Sequence, residues 1–217
     1  MRLFAAIRPP APVLAHLGAA STALRLGAGA PLRWVPADQQ HVTVAFFGEL
    51  PDGAASELQD PLARLVAGFA PLELRLRGAG EFAGRSLWVG VADGGTVDGG
   101  AAGGGAAGGG IAGGGAGAGA HARAGDLARL LALMAAADEL PDARVRERRR
   151  AHLNVARRSR RAADVDLGAL ARVLSVYSGP AWVADSVELV SSRLGAGAGG
   201  GPLHEVIDTY PLRGYDA

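Results

Sequence analysis

The chain has 217 residues, and 49% of them are apolar, so it is long enough to bury a core in one domain or in two small lobes. Its 22 basic residues are all arginine and stand against 21 Asp and Glu, and the net charge of +1 excludes a uniformly cationic nucleic-acid coat but not a local patch. Cysteine and lysine are absent, which excludes disulfides, cysteine nucleophiles, thiolate-bound metals, Schiff bases and the lysine of a phosphate-binding loop.

The hydrophobic pattern predicts strands and helices that are mixed without regular alternation. In chain order, we expect a strand at 2–7, a helix at 13–26, extended segments at 32–35 and 41–47, a helix at 53–67, strands at 72–77 and 85–92, helices at 123–140 and 167–174, a strand at 182–191 and a last extended segment at 206–212. This order favours an α+β fold over a doubly wound parallel sheet.

A glycine-rich segment at 94–120 separates two halves of the chain that have a similar order of predicted strands and helices. Of its 27 residues, 15 are glycine, and the segment has too few apolar side chains to fold alone. We therefore expect a flexible linker there.

The first eight residues hold five apolar residues between two arginines, too few for the core of a secretory signal. A cytoplasmic location is the resulting expectation.

The first motif with chemical potential is HVTV, at residues 41–44. Residues two apart in a strand point to the same face, so His41 and Thr43 should share one face. The apolar residues of this segment are expected to pack the other way: Val42, Val44 and Phe46.

The second motif is HLNV, at residues 152–155. By the same alternation, His152 and Asn154 should share a face opposite Leu153 and Val155. Two such strands would each present an imidazole and a short hydrogen-bonding side chain toward one space.

These side chains suit the hydrolysis of a phosphate ester. Histidine titrates near neutral pH, so one ring can accept a proton while the other donates one. Hydroxyl and amide groups can donate hydrogen bonds to phosphoryl oxygens, and no metal is needed if water is the nucleophile. Spacing alone leaves open both a catalytic pair and two structural histidines, and it does not tell the acid from the base.

Five blocks of sequence, in order, resemble the two-histidine phosphoesterase superfamily, and specifically the bacterial RNA 2′,3′-cyclic phosphodiesterases of the LigT-like family. They are RLFAAI at 2–7, LRWVPADQQHVTVAFFGEL at 32–50, RSLWVGV at 85–91, RRRAHLNVAR at 148–157, and WVADSVELVSSRL at 182–194 with the closing YPL at 210–212. The second block contains a His-x-Thr-x motif, and the fourth stands where the family has another, followed by Ala-Arg. The resemblance covers nearly the whole chain outside the segment 94–120.

The chain departs from this family pattern in four places. Asn154 replaces the usual Thr, Ala151 replaces a Pro, His204 lies where Tyr is common, and the insert at 94–120 is not a family feature. Because Asn retains an N–H donor of similar reach, we expect weakened rather than absent function.

The resemblance implies a single bilobal α+β domain over residues 1–217, in which two antiparallel sheets face a central cleft with helices outside. It implies metal-independent hydrolysis of RNA 2′,3′-cyclic phosphate ends to 2′-phosphates, with His41 as proton donor and His152 as proton acceptor. In this interpretation Thr43 and Asn154 bind the phosphate and Arg157 contacts the substrate. The partner would be RNA with a cyclic phosphate end, or a related nucleotide. No cofactor, metal or membrane is expected, and the protein is expected to be a monomer.

An arginine-rich run at 144–161 flanks the second motif and contains nine Arg and one Glu. It is either a contact for RNA phosphates or a solvated connector. Arg157 would lie opposite His152 on an ideal strand, so the family's Ala-Arg is the reason for including it. The remaining histidines, His16, His121 and His204, lack metal-ligand spacing and are expected at the surface or in packing.

Two alternatives to the cyclic phosphodiesterase remain open. One is a binder of RNA ends or nucleotides with the same fold and impaired turnover, because of Asn154 and the altered flank. The other is a phosphodiesterase that acts on a small cyclic nucleotide.

Overall fold

A computed structural model of the chain describes residues 1–27, 32–51, 53–95, 125–146, 149–159, 165–197 and 200–214. The strands are β1 (Arg2–Ile7), β2 (Leu32–Trp34), β3 (Val42–Glu49), β4 (Leu72–Phe82), β5 (Ser86–Asp93), β6 (His152–Arg158), β7 (Ser178–Ala184), β8 (Ser186–Arg193) and β9 (Leu203–Pro211). The helices are α1 (Ala11–Gly27), α2 (Ala54–Ala67), α3 (Asp126–Ala137) and α4 (Leu167–Leu174), with a short 3-10 turn at Ala37–Gln39.

The strands form one curled antiparallel sheet in the order β7-β4-β5-β6-β3-β1-β8-β9, with β2 paired to β6. Its two halves, β7-β4-β5-β6 and β3-β1-β8-β9, meet at a single backbone pair between Val42 and Leu153. The α+β class is therefore confirmed, and the two expected sheets are halves of a continuous one.

Apolar alternation along the strands places the core between the sheet and the helices. In β4, Leu72, Leu74 and Leu76 are fully buried while Glu73 between them is exposed. Burying a leucine side chain contributes about 1.5–3 kcal/mol, so this alternation fixes which face of the strand packs inward.

The prediction of one strand at 182–191 is wrong. The chain breaks at Asp185, and β7 pairs with β4 in one half of the sheet while β8 pairs with β1 in the other. The backbone carbonyl of Asp185 accepts a hydrogen bond from Leu212 N at 2.8 Å, which ties the crossing to the end of the chain. Trp182 and Ala184 are buried before the break and Val187 and Leu189 after it, so the alternation of buried residues shifts by one position at Asp185.

Most of the predicted insert, from residue 96 onward, lies outside the described residues. Its two flanks are close together, because Asp93 at the end of β5 accepts a hydrogen bond from Leu127 N in α3 at 2.7 Å. The insert therefore leaves and re-enters the fold at nearly the same point. Among the described helices, none is long and apolar enough to cross a membrane.

Candidate active site

His41 directly precedes β3, and its ring is held from two sides. Its Nδ1–H donates a hydrogen bond to Gln39 O at 2.8 Å, and the Phe4 ring stacks on it at 4.7 Å with an interplanar angle of 23°. Gln39 is itself anchored, since its Nε2 donates to Pro202 O at 2.8 Å. With Nδ1 committed to a carbonyl, Nε2 is the atom available for proton transfer.

His152 opens β6 with the same arrangement. Its Nδ1–H donates to Arg150 O at 2.7 Å, again a carbonyl two residues upstream. Phe82 and Trp88 meet the ring edge-on at 5.0 and 6.1 Å. The two histidines therefore share one tautomer, with Nε2 available in both.

A β-bulge lies at the last residue of each motif. On β3 the pairing with β1 skips Val44, and on β6 the pairing with β5 skips Val155. Each bulge leaves two consecutive buried residues and reverses the alternation that follows.

The bulges change the faces of two residues. Phe46, expected to pack away from His41, instead lines the same cavity and contacts a small cluster with Phe4, so that expectation is wrong. Arg157 returns to the face of Asn154, although an ideal strand would have turned it away. The matched HVTVAF and HLNVAR segments thus place Phe46 and Arg157 at equivalent positions.

The Val42–Leu153 pair sets the two motifs side by side. In an antiparallel register, one step along each strand brings each motif histidine opposite the hydrogen-bonding residue of the other motif, on the same face.

A cavity of about 650 Å³ opens over this junction. His152 is not among its lining residues, but it shares a strand face with Asn154 two positions away. Four of the five residues selected from sequence line the cavity: His41, Thr43, Asn154 and Arg157.

Burial favours the neutral form of both histidines in the free protein. It lowers the pKa of His41 from 6.5 to about 4, with help from nearby cationic groups and against the opposing effect of the Gln39 hydrogen bond. Burial likewise lowers the pKa of His152, to which Arg146 and Arg150 add and which the hydrogen bond to Arg150 O opposes. Both rings are thus ready to accept a proton, and a donor must first be protonated.

His204 is a cavity residue that the sequence analysis assigned to surface or packing. Its ring meets His41 edge-on at 5.5 Å and Phe4 at 5.2 Å, and it lines the cavity. Its Nδ1 is buried without a hydrogen-bond partner among the described residues. Motif analysis did not identify His204, because it lies in β9, far from both motifs in the chain. The family resemblance had given it only as a position where Tyr is common.

The described part of the arginine run has mixed roles. Arg146 and Arg149 both pair with the buried carboxylate of Asp138, at 3.0 and 2.7 Å. Arg144 N donates to Phe46 O at 2.8 Å, where β3 has left β6. Part of the run is therefore structural, while Arg150 and Arg157 face the cavities. Of the other two histidines, His16 contacts Tyr177 Oη at 3.1 Å, and His121 lies outside the described residues.

Within the described ranges, no group of three or more His, Cys, Asp or Glu side chains could hold a metal ion.

The fold is that of known LigT structures. A crystal structure of a Thermus thermophilus protein is 24% identical over 100% of both chains, with a TM-score of 0.66. Escherichia coli LigT, crystallised with NADP+, is 19% identical over 98% of both chains, with a TM-score of 0.54.

Two named relatives align with part of the chain. An RNA 2′,3′-cyclic phosphodiesterase of Geobacillus stearothermophilus is 38% identical over 64 residues, 28% of this chain and 20% of that protein. One of Methanothermobacter thermautotrophicus is 31% identical over 68 residues, 30% of this chain and 37% of that protein. The chain thus spans well under half the length of these two relatives in the alignments.

Residues 7–88, which include the first motif, match the family model described as LigT like Phosphoesterase. The chain is therefore similar to the LigT-like phosphoesterases over residues 7–88, and it shares the LigT fold.

Proposed function

We propose that this chain hydrolyses RNA 2′,3′-cyclic phosphate ends to 2′-phosphates without a metal, with the two motif histidines as acid and base. The observation that carries the proposal is the matched pair of motifs on adjoining strands. Each imidazole is tied through Nδ1 to the carbonyl two residues upstream, and each keeps Nε2 for the substrate. This shared arrangement supports a common role of the two histidines over two unrelated structural ones.

The reaction needs one proton removed and one delivered. His152 Nε2 takes a proton from water as the water oxygen bonds to phosphorus. The bond between phosphorus and the 3′ oxygen breaks, and His41 Nε2 supplies the proton that makes this oxygen a hydroxyl. The products are a 2′-phosphate and a 3′-hydroxyl. This choice of acid and base follows the family resemblance.

The other cavity residues stabilise the charge on the phosphate. Thr43 and Asn154 offer a hydroxyl and an amide donor, and both line the cavity. Arg157 brings a fixed positive charge to the same space, and hydrogen bonds from guanidinium to phosphate are among the strong ones.

The low pKa of His41 requires that the substrate help to protonate it. An anionic phosphodiester bound beside the ring favours the imidazolium form and offsets the effect of the nearby arginines. After one turnover His41 is neutral and His152 is protonated, so exchange with solvent must reset the pair.

The names of relatives support an RNA substrate. The two matched relatives are named RNA 2′,3′-cyclic phosphodiesterase. E. coli LigT has been crystallised with 3′-AMP and with phosphate, and both ligands contain a phosphate group.

The test is turnover of a short RNA with a 2′,3′-cyclic end in excess chelator, with the product end identified by ³¹P NMR. His41→Ala and His152→Ala should each lower the rate by about 10²–10⁴, the usual contribution of a general acid or base. The double variant should be little slower than either single one, because the pair acts as a unit. His16→Ala is the matched control, since His16 lies on α1 against Tyr177 and should leave the rate unchanged.

Near-parental turnover in either motif variant would remove that histidine from the mechanism. Activity lost in chelator and restored by a divalent ion would contradict the metal-free reaction.

A second candidate is a binder of nucleotide ends with little turnover. It is favoured by Asn154 in place of Thr and by the low pKa of His41, which disfavours a proton donor. Tight binding of a 2′-phosphorylated RNA without hydrolysis of the cyclic form would establish it.

A further inference from the structure

A second cavity, of about 410 Å³, is lined in part by Trp88, whose ring meets that of His152 edge-on at 6.1 Å. Arg150 and Ala151, the two residues directly before His152, line it. The first cavity includes Asn154, two residues after His152. Residues on either side of His152 in the sequence therefore line two different cavities, although His152 itself lines neither.

Small and large apolar residues line much of this cavity. The small ones are Gly78, Ala79, Gly90 and Ala151, and the large ones are Trp88, Val91, Leu127 and Leu131. A Cβ at Gly90 would meet Arg77 O at 2.8 Å, so no larger residue fits there without a shift of the backbone.

The charge around the cavity is one-sided. Arg77, Arg149 and Arg150 line it, and none of its lining residues is Asp or Glu. The first cavity is lined by three more arginines and one Asp. In a chain whose net charge is +1, this concentration of guanidinium groups around one junction marks a surface for a polyanion.

Two of the arginines are held in place. Arg149 Nε donates to Asp138 Oδ2 at 2.7 Å, and this carboxylate is fully buried. The Arg150 guanidinium lies over the Trp88 ring at 4.9 Å. Among the described residues, no carboxylate forms an ion pair with Arg77 or Arg150. Pre-positioned guanidinium groups lose little side-chain entropy when they bind phosphate.

We propose that this second cavity binds a further phosphate of the RNA chain, next to the one that reacts, so that the site takes an oligonucleotide rather than a lone nucleotide. The inference rests on the proposed function, because it names the part of that substrate that reaches beyond His152. Arg77 and Arg150 hold the non-reacting phosphate while the cyclic end occupies the first cavity.

The test is binding, which does not depend on turnover. The probes are a fluorescent trinucleotide ending in a 2′-phosphate and a nucleoside 2′-monophosphate as competitor. Their Kd values are measured for the full chain and for Arg77→Gln, Arg150→Gln and the double variant. Arg172→Gln is the matched control, since Arg172 is 74% exposed in α4 and pairs only with Asp166 among the described residues.

We expect each variant to weaken trinucleotide binding by about three- to tenfold, and by more than it weakens the mononucleotide. The slope of log K against log salt for the trinucleotide should become shallower by about 0.7 for each phosphate that the substituted arginine no longer neutralises. The control should bind both probes as the parent does.

Equal losses for the two probes, or no loss, would overturn the second phosphate site. Turnover of the cyclic RNA by the parent chain is measured separately. If the parent does not hydrolyse it, the proposed function fails, and the binding result still decides whether the second cavity takes phosphate.

Discussion

Changing the pH is the most direct way to probe the burial of the two histidines. Phe4 and His204 cover His41, and burial lowers its pKa to about 4 from 6.5. His152, covered by Phe82 and Trp88, also has a lowered pKa. The reacting pair needs one ring protonated and one neutral, and the optimum of kcat/KM lies midway between the two apparent pKa values of the free enzyme. We therefore expect this optimum below pH 6.5.

The size of the effect follows from these shifts. Above pH 6.5 both rings are mostly neutral, so kcat/KM should fall about tenfold for each pH unit. Between pH 6.5 and 5, kcat/KM should stay constant or rise as the pH is lowered. An enzyme with two histidines of ordinary pKa would already lose activity in this range. The kcat profile should lie at higher pH, because the bound phosphate raises both pKa values.

The same burial makes folding pH-dependent. The unfolded chain binds a proton at His41 more tightly than the folded chain does. The free energy of unfolding should therefore be highest above about pH 6.5 and should decrease as the pH falls from 6.5 toward 4. A lowering from 6.5 to about 4 corresponds to about 3 kcal/mol of unfolding free energy. Urea unfolding of the parent and of His41→Gln at both pH values isolates this part as the difference between them.

The assays are pH–rate profiles and NMR titration of the histidine rings. The His41 resonance is identified by its loss in the His41→Gln variant, and its midpoint should lie near pH 4. A midpoint at or above 6.5, or a kcat/KM optimum above pH 7, would refute the claim that burial controls the pair.

Three other predictions follow from particular contacts. In single-turnover hydrolysis, Asn154→Thr should be as fast as the parent or up to about tenfold faster. Asn154→Ala should be slower by about tenfold or more, because a hydrogen bond to a charged group contributes about 1.5–3 kcal/mol. If Asn154→Ala hydrolyses the RNA at the parental rate, the amide does not contact the phosphate. Asp138→Ala should lower the free energy of unfolding, measured in urea, by about 3–5 kcal/mol, because two guanidinium groups lose their buried partner. A decrease of less than about 1 kcal/mol would show that Arg146 and Arg149 find other partners. Replacing residues 96–124 by a short turn should preserve folding and turnover, because Asp93 already bonds Leu127 across the junction; a folded but inactive variant would assign the insert to the site.

Local sequence patterns were enough to predict the faces of the two motif strands and the fold class. Alternation in HVTV and HLNV put each histidine on a face with a hydrogen-bonding partner, and the structure keeps both pairs. The mixture of strands and helices led to the α+β class, and the resemblance of the five blocks agrees with the LigT-like family model that matches residues 7–88 and with the LigT fold. These features depend on residues near one another in the chain, so a sequence pattern records them.

Contacts between distant segments decided the rest. The bulges that bring Phe46 and Arg157 into the cavity arise from pairing with other strands, so no pattern within either motif predicts them. His204 reaches His41 only because β9 lies beside β8, and the pKa of His41 depends on how completely such neighbours exclude water. The break at Asp185 likewise sends two similar strands to opposite halves of the sheet. Burial and strand pairing are properties of the assembled sheet, and for that reason only the tertiary structure reveals them.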